Sequence, residues 1–363
     1  MTLVIGNFLI TTYLCIMKNL RQLSLADIEL LMKEWGEPKF RAGQVYDWVW
    51  KKFAGSVDEM TNLSKGLREK LSQNFHIPKV SIHHSQFSSD GTIKNRLMLH
   101  DGNYVESVLI PTEKRITVCV SSQVGCSLSC KFCATGFLPR KRNLDFDEIV
   151  DEVTLANDQA LKHYGKGITN IVFMGMGEPL LNYKNVLKAI DTISSPDSLG
   201  MSPRRITVST AGIAKMIRQL GDDEVRFKLA LSLHAPNDRK RDTIMPINES
   251  NTLEELIDSL NYFYKKTRNE ITFEYILFKD VNDSIKDADE LVKIYRQVPA
   301  DLVNIIEYNT IEKADFTKPD DDVVENFMNY LESKKVNARL RRSRGKDIDA
   351  ACGQLANVDH PTA

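Results

Sequence analysis

The stretch Gly125-Cys-Ser-Leu-Ser-Cys-Lys-Phe-Cys-Ala-Thr-Gly136 sets three cysteines at the spacing Cys126-x-x-x-Cys130-x-x-Cys133, in the loop after a β-like run. Three thiolates can hold three irons of a four-iron cluster and leave the fourth iron open to another ligand. A structural zinc site usually has four protein ligands, and no fourth cysteine or histidine follows at zinc-finger spacing. The pattern therefore predicts one 4Fe-4S cluster on Cys126, Cys130 and Cys133.

A second motif, Gly175-Met-Gly-Glu-Pro179, directly follows an apolar run that ends at Met174. Glycines let the backbone approach a ligand closely, and the carboxylate of Glu178 can accept hydrogen bonds from an ammonium group. A lone glycine-rich turn is weak evidence, because tight strand-to-helix turns also need glycine. The motif Gly175–Pro179, however, lies at the carboxyl end of the strand that follows the cysteine loop, and this position favours a ligand site.

Beyond Lys114, β-like runs alternate with amphipathic helical patterns. The predicted strands are Arg115–Ser121, Asn170–Met174, Arg205–Ser209, Lys228–Ser232, Ile271–Leu277 and Leu302–Tyr308, and the predicted helices span 146–161, 183–194, 213–220, 253–267, 287–296 and 323–334. Two helices begin with capping-box spacing, Asp145 with Glu148 and Thr252 with Glu255. Six βα units predict a parallel sheet, and six is fewer than the eight of a closed barrel. An open or partial barrel is favoured, and a doubly wound sheet remains the alternative.

The chain before this region divides into two parts. From Leu23 to about Phe75 apolar residues recur at helical spacing, and from Lys79 to Pro111 they alternate around the turn dipeptides Asp90-Gly91 and Asp101-Gly102. We therefore predict a helical domain at 17–78, a small sheet at 79–111, the barrel at 112–346 and a C-terminal segment at 347–363. Residues 1–16 are expected to be an extension from an upstream start, because Met17-Lys18 is a better beginning; a short buried N-terminal strand is the alternative.

Composition excludes disordered and collagen-like chains, with 42% hydrophobic residues and 48 Lys+Arg against 49 Asp+Glu. Three of six cysteines lie within eight residues, which is no disulfide framework and indicates a reducing, cytoplasmic location. The longest apolar run, Thr2 to Ile16, is too short to span a membrane.

With a formal net charge of −1, only local basic clusters can indicate a nucleic-acid partner. These are Arg140-Lys-Arg142, Arg204-Arg205 and the stretch 339–346, which could equally be a final strand with a solvated basic face.

The cysteine spacing, with an aromatic residue before the third cysteine, resembles the signature of the radical S-adenosylmethionine superfamily, and Gly175–Pro179 resembles its Gly-Gly-Glu-Pro motif. Features from about Leu23 to Leu355 are similar to the bacterial adenine C2 methyltransferase family, namely the stretches Ser122–Cys126, Phe173–Asn182, Ser232–Asn237 and Asp347–Gln354. The resemblance implies a partial (βα)6 TIM-like barrel and two S-adenosylmethionine molecules per turnover, one as methyl donor and one as radical source. It implies methylation of adenine 2503 in 23S rRNA and adenine 37 in tRNAs. It also implies a flavodoxin-like external electron donor and a monomeric protein.

The resemblance also implies roles for single residues. The positions that match S-adenosylmethionine contacts of the family are Gly177, Glu178, Ser209, Ser232, Leu233, His234 and Asn309. Taken alone, Leu233 could belong to the core and His234 could be an ordinary buried histidine. Tyr308-Asn309-Thr310 departs from the tryptophan-asparagine-proline of the family, although the asparagine is kept.

Three further residues match the reaction chemistry of the family. Cys352 matches the methyl-carrying thiol, Cys119 the resolving thiol that forms a disulfide with it, and Glu106 the base that removes the C2 proton. Without the resemblance, Cys119 would be a small core residue, Cys352 part of a turn, and Glu106 a solvent-facing carboxylate. A radical route suits the target, because C2 of adenine lies between two ring nitrogens and is electron-poor.

Two other functions remain open. A relative that methylates C8 of the same rRNA adenine would use the same cysteines, although the Gln123–Cys126 and Cys352–Gln354 contexts favour C2 chemistry. A non-catalytic iron–sulfur protein that binds RNA is the alternative from another class. RNA contacts are expected from the basic clusters and from the N-terminal module, where Lys39, Arg41, Lys51 and Lys52 flank Trp48 and Trp50. Core packing explains both tryptophans almost as well.

Overall fold

The computed structural model describes residues 17–358, which form two compact units. One unit comprises residues 17–80 with 191–201, and the other comprises 81–190 with 202–358. The expectations for residues 1–16, and for the last five residues of the C-terminal segment, fall outside the described residues.

The smaller unit is built from three helices: α1 (Leu25–Glu34), α2 (Phe40–Trp50) and α3 (Lys65–Asn74). A capping box between Ser24 and Asp27 starts α1. The strands β1 (Lys18–Asn19) and β2 (Phe75–His76) pair in parallel and bring the two ends of this segment together. The helices bury one apolar face each, through Ile28, Met32, Ala42, Val45, Val49, Leu67 and Leu71.

The larger unit is organised around one ten-stranded sheet. Its strands are β3 (Ser81–Phe87), β4 (Ile93–Met98), β5 (Tyr104–Pro111), β6 (Ile116–Cys119), β9 (Asn170–Phe173), β10 (Ile206–Thr210), β11 (Lys228–Ser232), β12 (Ile271–Leu277), β13 (Leu302–Glu307) and β14 (Ala338–Arg341). Seven of them, β6 and β9 to β14, are parallel neighbours in chain order, while β3, β4 and β5 continue the sheet as antiparallel strands beyond β6. All six predicted βα units are present, and the partial barrel is confirmed.

Two details differ from the sequence-based expectation. The strands of residues 81–111 are no separate sheet, because a tight turn at Thr112–Arg115 folds β5 back onto β6 (Thr112 N to Arg115 O, 2.7 Å). The barrel also gains a seventh parallel strand, β14, within the basic stretch for which the sequence left a strand and an RNA contact open.

Helices cover the parallel strands: α4 (Phe146–Tyr164), α5 (Tyr183–Ser194), α6 (Ala214–Asp222), α7 (Asp238–Ile244), α8 (Leu253–Thr267), α9 (Ile285–Gln297) and α10 (Asp321–Ser333). Both predicted capping boxes are formed, and Gly165 ends α4 in the left-handed conformation. The short helix α7 was not expected from the sequence. Within residues 17–358, no helix has both the length and the apolar character that a membrane crossing requires. The carboxyl ends of the parallel strands meet at one edge of the barrel, which is where ligands bind in such folds.

Candidate active site

The three cysteines lie on a loop framed by the short antiparallel strands β7 (Gln123–Val124) and β8 (Arg142–Asn143). Two glycines allow this loop to close. Gly125 has φ +77°, and a Cβ there would lie 2.2 Å from the carbonyl oxygen of Pro139. A Cβ on Gly136 would lie 2.7 Å from the carbonyl oxygen of Cys130. The loop conformation that gathers the thiols therefore depends on glycine at both positions.

All three thiols face one pocket and pack against an apolar cluster that includes Phe132 and Phe278. Burial raises the pKa of Cys126 to about 11 and also raises the pKa values of Cys130 and Cys133. Negative charge on a neighbouring cysteine raises these pKa values further, from Cys133 for Cys126 and Cys130, and from Cys352 for Cys133. Three adjacent thiolates in such surroundings need a bound cation to neutralise them. This donor set fits three irons of a 4Fe-4S cluster.

The Gly-Glu-Pro turn forms the wall of the same pocket. Gly177 has φ +92°, and a Cβ there would lie 2.4 Å from Cβ of Gln123. Gln123 Oε1 accepts the backbone N–H of Glu178 at 2.9 Å, which fixes the turn. The carboxylate of Glu178 accepts hydrogen bonds from the N–H groups of Leu180 (3.0 Å) and Ala211 (2.8 Å), and burial raises its pKa. The side chain of Thr210 also hydrogen-bonds to this carboxylate, and the fourth lone pair remains for a ligand.

Ser209, Ser232 and His234 follow at the ends of neighbouring strands and line the same pocket, whose volume is about 150 Å³. The two serine hydroxyls are 3.3 Å apart. Burial, aided by the charge of Arg241, lowers the pKa of His234 to about 3, so the imidazole is neutral. Because its Nδ1 accepts the N–H of Ile276 (3.1 Å), the proton is assigned to Nε2. The ring can therefore donate one hydrogen bond.

Two residues assigned to this pocket by the family resemblance are not among those that line it. The side chain of Leu233 is fully buried, and its carbonyl accepts a hydrogen bond from Nε of Arg241 at 3.0 Å. Asn309 directs its Nδ2 to the carbonyl oxygen of Cys352 at 3.3 Å. In this structure Asn309 thus orients the segment that carries Cys352.

Cys119, at the end of β6, and Cys352 line a second cavity of about 670 Å³ that shares walls with the first pocket. Burial, followed by the charge of Cys352, raises the pKa of Cys119 to about 12. The Cys352 segment is fixed to the cysteine loop by bonds from Ala134 N to Gly353 O (2.7 Å) and from Thr135 Oγ1 to Leu355 O (2.6 Å). The structure thus brings the two isolated cysteines together beside the three clustered ones.

Glu106 is buried on β5, on the face that carries the cavity-lining Val108, two residues further along. Its carboxylate lies 3.7 Å from Nζ of Lys94, and its second oxygen accepts the N–H of Asn357 at 3.0 Å. The side chain is therefore near the cavity but covered by the C-terminal segment.

Two arginines of the site were not predicted as active-site residues, although Arg341 belongs to the basic stretch 339–346 for which an RNA contact was considered. Arg241, on α7, is fully buried and donates to the carbonyl oxygens of Ala211, Ser232 and Leu233, which ties two strand ends together. Arg341, on β14, reaches into both cavities and lies 3.5 Å from Glu274. The Arg339-x-Arg341 alternation was a signal for an inward-facing arginine, whereas nothing in the sequence distinguishes Arg241 from a surface residue.

Several residues of the basic clusters have partners inside this unit. Arg142 pairs with Glu148 (2.7 Å) and Asp101 (2.6 Å), and Lys346 pairs with Glu307 (2.8 Å). Arg344 donates to the carbonyl oxygen of Pro111 at 2.8 Å. Much of the charge in these clusters therefore serves the fold. In the smaller unit Trp50 is buried, whereas Trp48 is half-buried with Nζ of Lys52 3.7 Å from its ring centre.

Two family models match the chain. The ribosomal RNA large subunit methyltransferase N-terminal domain matches residues 18–77, and the radical SAM superfamily matches residues 120–292. A solved structure, a radical SAM methyltransferase from Sphaerobacter thermophilus, superposes with a TM-score of 0.88 at 38% identity, covering 94% of this chain and 100% of that one.

Two curated relatives are described as probable dual-specificity RNA methyltransferase RlmN. The protein of Cytophaga hutchinsonii is 55% identical over 339 residues, covering 93% of each chain. The protein of Christiangramia forsetii is 51% identical over 340 residues, covering 94% of this chain and 96% of its own. With these identities over nearly the whole length, the chain belongs to the RlmN family of radical S-adenosylmethionine RNA methyltransferases.

Proposed function

We propose that this protein methylates C2 of adenine 2503 in 23S rRNA and of adenine 37 in tRNAs. The observation that carries the proposal is the meeting of Cys119 and Cys352 on one cavity beside Cys126, Cys130 and Cys133. A binding protein with a structural cluster has no use for two further thiols, one of which lines the ligand pocket while both line the adjoining cavity. A methyl transfer through a protein thioether needs both.

The proposed cofactor set is one 4Fe-4S cluster, which Cys126, Cys130 and Cys133 would hold, and S-adenosylmethionine, which would occupy the pocket beside them. When bound, the pair supplies a 5′-deoxyadenosyl radical. Gly177 leaves room for the methionine part, Glu178 accepts from its ammonium group, and Ser209, Ser232 and the Nε2–H of His234 supply polar contacts. We assign Leu233 to the same site because its carbonyl oxygen accepts a hydrogen bond from Arg241. We assign Asn309 to it because its side chain donates to the carbonyl oxygen of Cys352.

Cys352 is the proposed methyl carrier. After losing its proton, its sulfur attacks the methyl carbon of one S-adenosylmethionine, S-adenosylhomocysteine leaves, and the methylated side chain later delivers that carbon to C2. Cys119 then releases the product by forming a disulfide with Cys352. Its buried thiol, with a pKa of about 12, keeps its proton at neutral pH until the release step requires the thiolate.

Glu106 is the proposed acceptor of the C2 proton. The carboxylate is buried, and Lys94 and the N–H of Asn357 hold it in place. The N–H of Asn357 occupies one lone pair of the carboxylate, so the remaining lone pairs are the ones available to accept the proton.

RNA binding is assigned to the N-terminal domain at 17–78 together with basic residues around the barrel mouth. Trp48, with Lys52 over its ring, and the exposed Phe40 offer stacking and cationic surface in the smaller unit. The adenine must leave its stack to reach the thiols. We further propose a flavodoxin-like electron donor, a monomeric enzyme and a cytoplasmic location.

The test is nucleoside mass spectrometry after anaerobic incubation of reconstituted enzyme with S-adenosylmethionine, a reductant, and unmodified 23S rRNA fragment or tRNA. The expected product is 2-methyladenosine at the two named positions. Cys352→Ala is the matched control and should yield none. Formation of 8-methyladenosine would instead place the protein with the C8-methylating relatives. Intact cluster without any methylated base would reject the proposed substrates.

A further inference from the structure

The interior of the barrel is hollow. Closed barrels of this type fill their centre with bulky branched side chains. Here five inward positions carry small or polar side chains, Thr117, Asn170, Thr207, Thr272 and Asn304, beside the apolar Val172, Leu302 and Ile306. They leave the cavity of about 670 Å³ on which Cys119 and Cys352 lie. A void of this size and polarity fits a small polar ligand.

The cavity runs along the strands from one end of the barrel to the other. Its wall includes Arg115, just before β6, and Cys119, at the end of that strand, and four residues of strand span about 13 Å. Lys228 begins β11, Glu270 directly precedes β12, and Arg339 is the second residue of β14; all three line the cavity. The two thiols can therefore be approached from the amino-terminal ends of the strands, opposite the cysteine loop.

The amino-terminal mouth carries an excess of positive charge. Lys228 is neutralised by Glu270 at 2.5 Å, and the deeper Arg341 faces Glu274 at 3.5 Å. Arg115 and Arg339 are exposed, and within residues 17–358 neither forms an ion pair. Unpaired cations at the rim of a narrow cavity concentrate anions inside it.

We propose that this hollow barrel is a binding cavity and access route for a small anionic thiol, which reduces the Cys119–Cys352 disulfide from the amino-terminal side. The inference rests on the proposed function, because that function forms the disulfide in each turnover. The small thiol would enter at the amino-terminal ends of the strands, whereas RNA and S-adenosylmethionine would bind at their carboxyl ends.

The exchange conserves atoms and electrons. The thiolate of the first small thiol attacks the sulfur of Cys119, the S–S bond breaks, and Cys352 leaves as a thiolate that takes up a proton. A second thiolate attacks the mixed disulfide on the outer sulfur, and the Cys119 thiolate leaves and is protonated. Two small thiols thus supply two electrons and depart as their own disulfide. Arg341 borders the cavity beside both cysteines, where its positive charge stabilises a departing thiolate.

The experiment starts from the full-length reconstituted enzyme after a single turnover with RNA in the absence of thiols. Peptide mapping establishes that Cys119 and Cys352 are joined. Recovery of free thiols is then timed with 2-mercaptoethanesulfonate, 2-mercaptoethanol and 2-mercaptoethylamine, which are anionic, neutral and cationic. Each rate is divided by the rate of the same thiol with hydroxyethyl disulfide, so that intrinsic nucleophilicity cancels.

We expect the normalised rate of the anionic thiol to exceed that of the cationic thiol by about tenfold at low salt, and to approach it at about 0.3 M salt. Charge reversal at the mouth, Arg115→Glu with Arg339→Glu, should invert the preference. The control Arg296→Glu changes an exposed arginine on α9 and should leave it unchanged. A second variant, Thr207→Trp, narrows the cavity and should slow all three thiols about equally.

Equal normalised rates for the three thiols, unchanged by the charge reversal, would overturn the route. Reduction by a protein disulfide reductant alone, with no reaction of small thiols, would overturn it as well. If single turnover yields no Cys119–Cys352 disulfide, the proposed roles of the cysteines fail instead, and the two failures are distinguishable.

Discussion

Ser88 donates a hydrogen bond from its hydroxyl to the carboxylate of Asp347 at 2.6 Å, across 259 residues of sequence. The bond joins the turn between β3 and β4 to the segment that carries Cys352. The second carboxylate oxygen of Asp347 accepts the N–H of Ser89 at 3.0 Å, and Asp90 accepts the N–H of Gly345 at 2.9 Å. The antiparallel strands that extend the sheet therefore hold the methyl-carrying cysteine in place.

Replacing Asp347 by Asn should loosen this attachment. We expect methylation of Cys352, followed as a mass gain on its peptide, to slow by about tenfold, equivalent to one or two lost hydrogen bonds. Binding of S-adenosylmethionine should be unchanged, because Asp347 does not line that pocket. Glu113→Gln, at an exposed carboxylate in the turn between β5 and β6, is the matched control. Wild-type methylation of Cys352 in Asp347→Asn would show that the attachment has no positioning role.

Asp90→Asn should lower stability in a pH-dependent way. Burial opposes ionisation of Asp90, but hydrogen bonds from Thr92 and Gly345 outweigh it and lower its pKa to about 2. A lowered folded-state pKa stabilises the protein above the unfolded value of 3.8, and this contribution disappears as pH falls towards 2. At pH 7 we expect a loss of about 1 kcal/mol in the free energy of unfolding, reduced from the full shift by solvent screening. Urea titrations of Asp90→Asn and the wild type at pH 7 and near pH 2.5 measure this loss. An equal loss in the free energy of unfolding at both pH values would contradict the lowered pKa of Asp90.

Gly177→Ala should abolish tight binding of S-adenosylmethionine. The new Cβ would meet Gln123 at 2.4 Å, on a backbone with φ +92° that alanine rarely adopts. We expect at least a tenfold rise in the Kd, measured by equilibrium dialysis, with an intact cluster absorption spectrum. Gly66→Ala, in α3 with nothing within 4 Å of its Cβ, is the control and should bind as the wild type does. Unaltered affinity in Gly177→Ala would remove this turn from the binding site.

The imidazole of His234 should remain neutral between pH 6 and pH 8. Burial lowers its pKa to about 3, so the affinity for S-adenosylmethionine should not change through His234 between pH 6 and 8. The lowered pKa of His234 contributes to the free energy of unfolding above pH 6.5, and this contribution is lost as the pH falls towards 3. A Kd that changes tenfold around pH 6.5 in the wild type, and not in His234→Gln, would show that the ring is protonated.

Local patterns in the sequence predict most of the barrel. The βα alternation gives six strands and their helices because burial imposes a period on each element, and Asp145 and Thr252 mark two helix starts. The cysteine loop is equally local, since three ligands lie within eight residues.

What the sequence leaves open depends on contacts between distant residues. Nothing near Asp347 indicates Ser88 as its partner, and Arg241 resembles a surface arginine until the strand ends close around it. The meeting of Cys119 and Cys352 could be expected only through the family resemblance. The hollow interior follows from which side of each strand faces inward, and that depends on how the barrel curves.

The most direct test of the central claim uses Cys119→Ala, which removes the proposed resolving thiol and leaves Cys352 in place. The variant should be incubated anaerobically with S-adenosylmethionine, a reductant and substrate RNA, then digested and analysed by mass spectrometry. We predict that a covalent adduct accumulates, with Cys352 joined through one carbon to C2 of the target adenine. Release of 2-methyladenosine at the wild-type yield, with no adduct on Cys352, would contradict it.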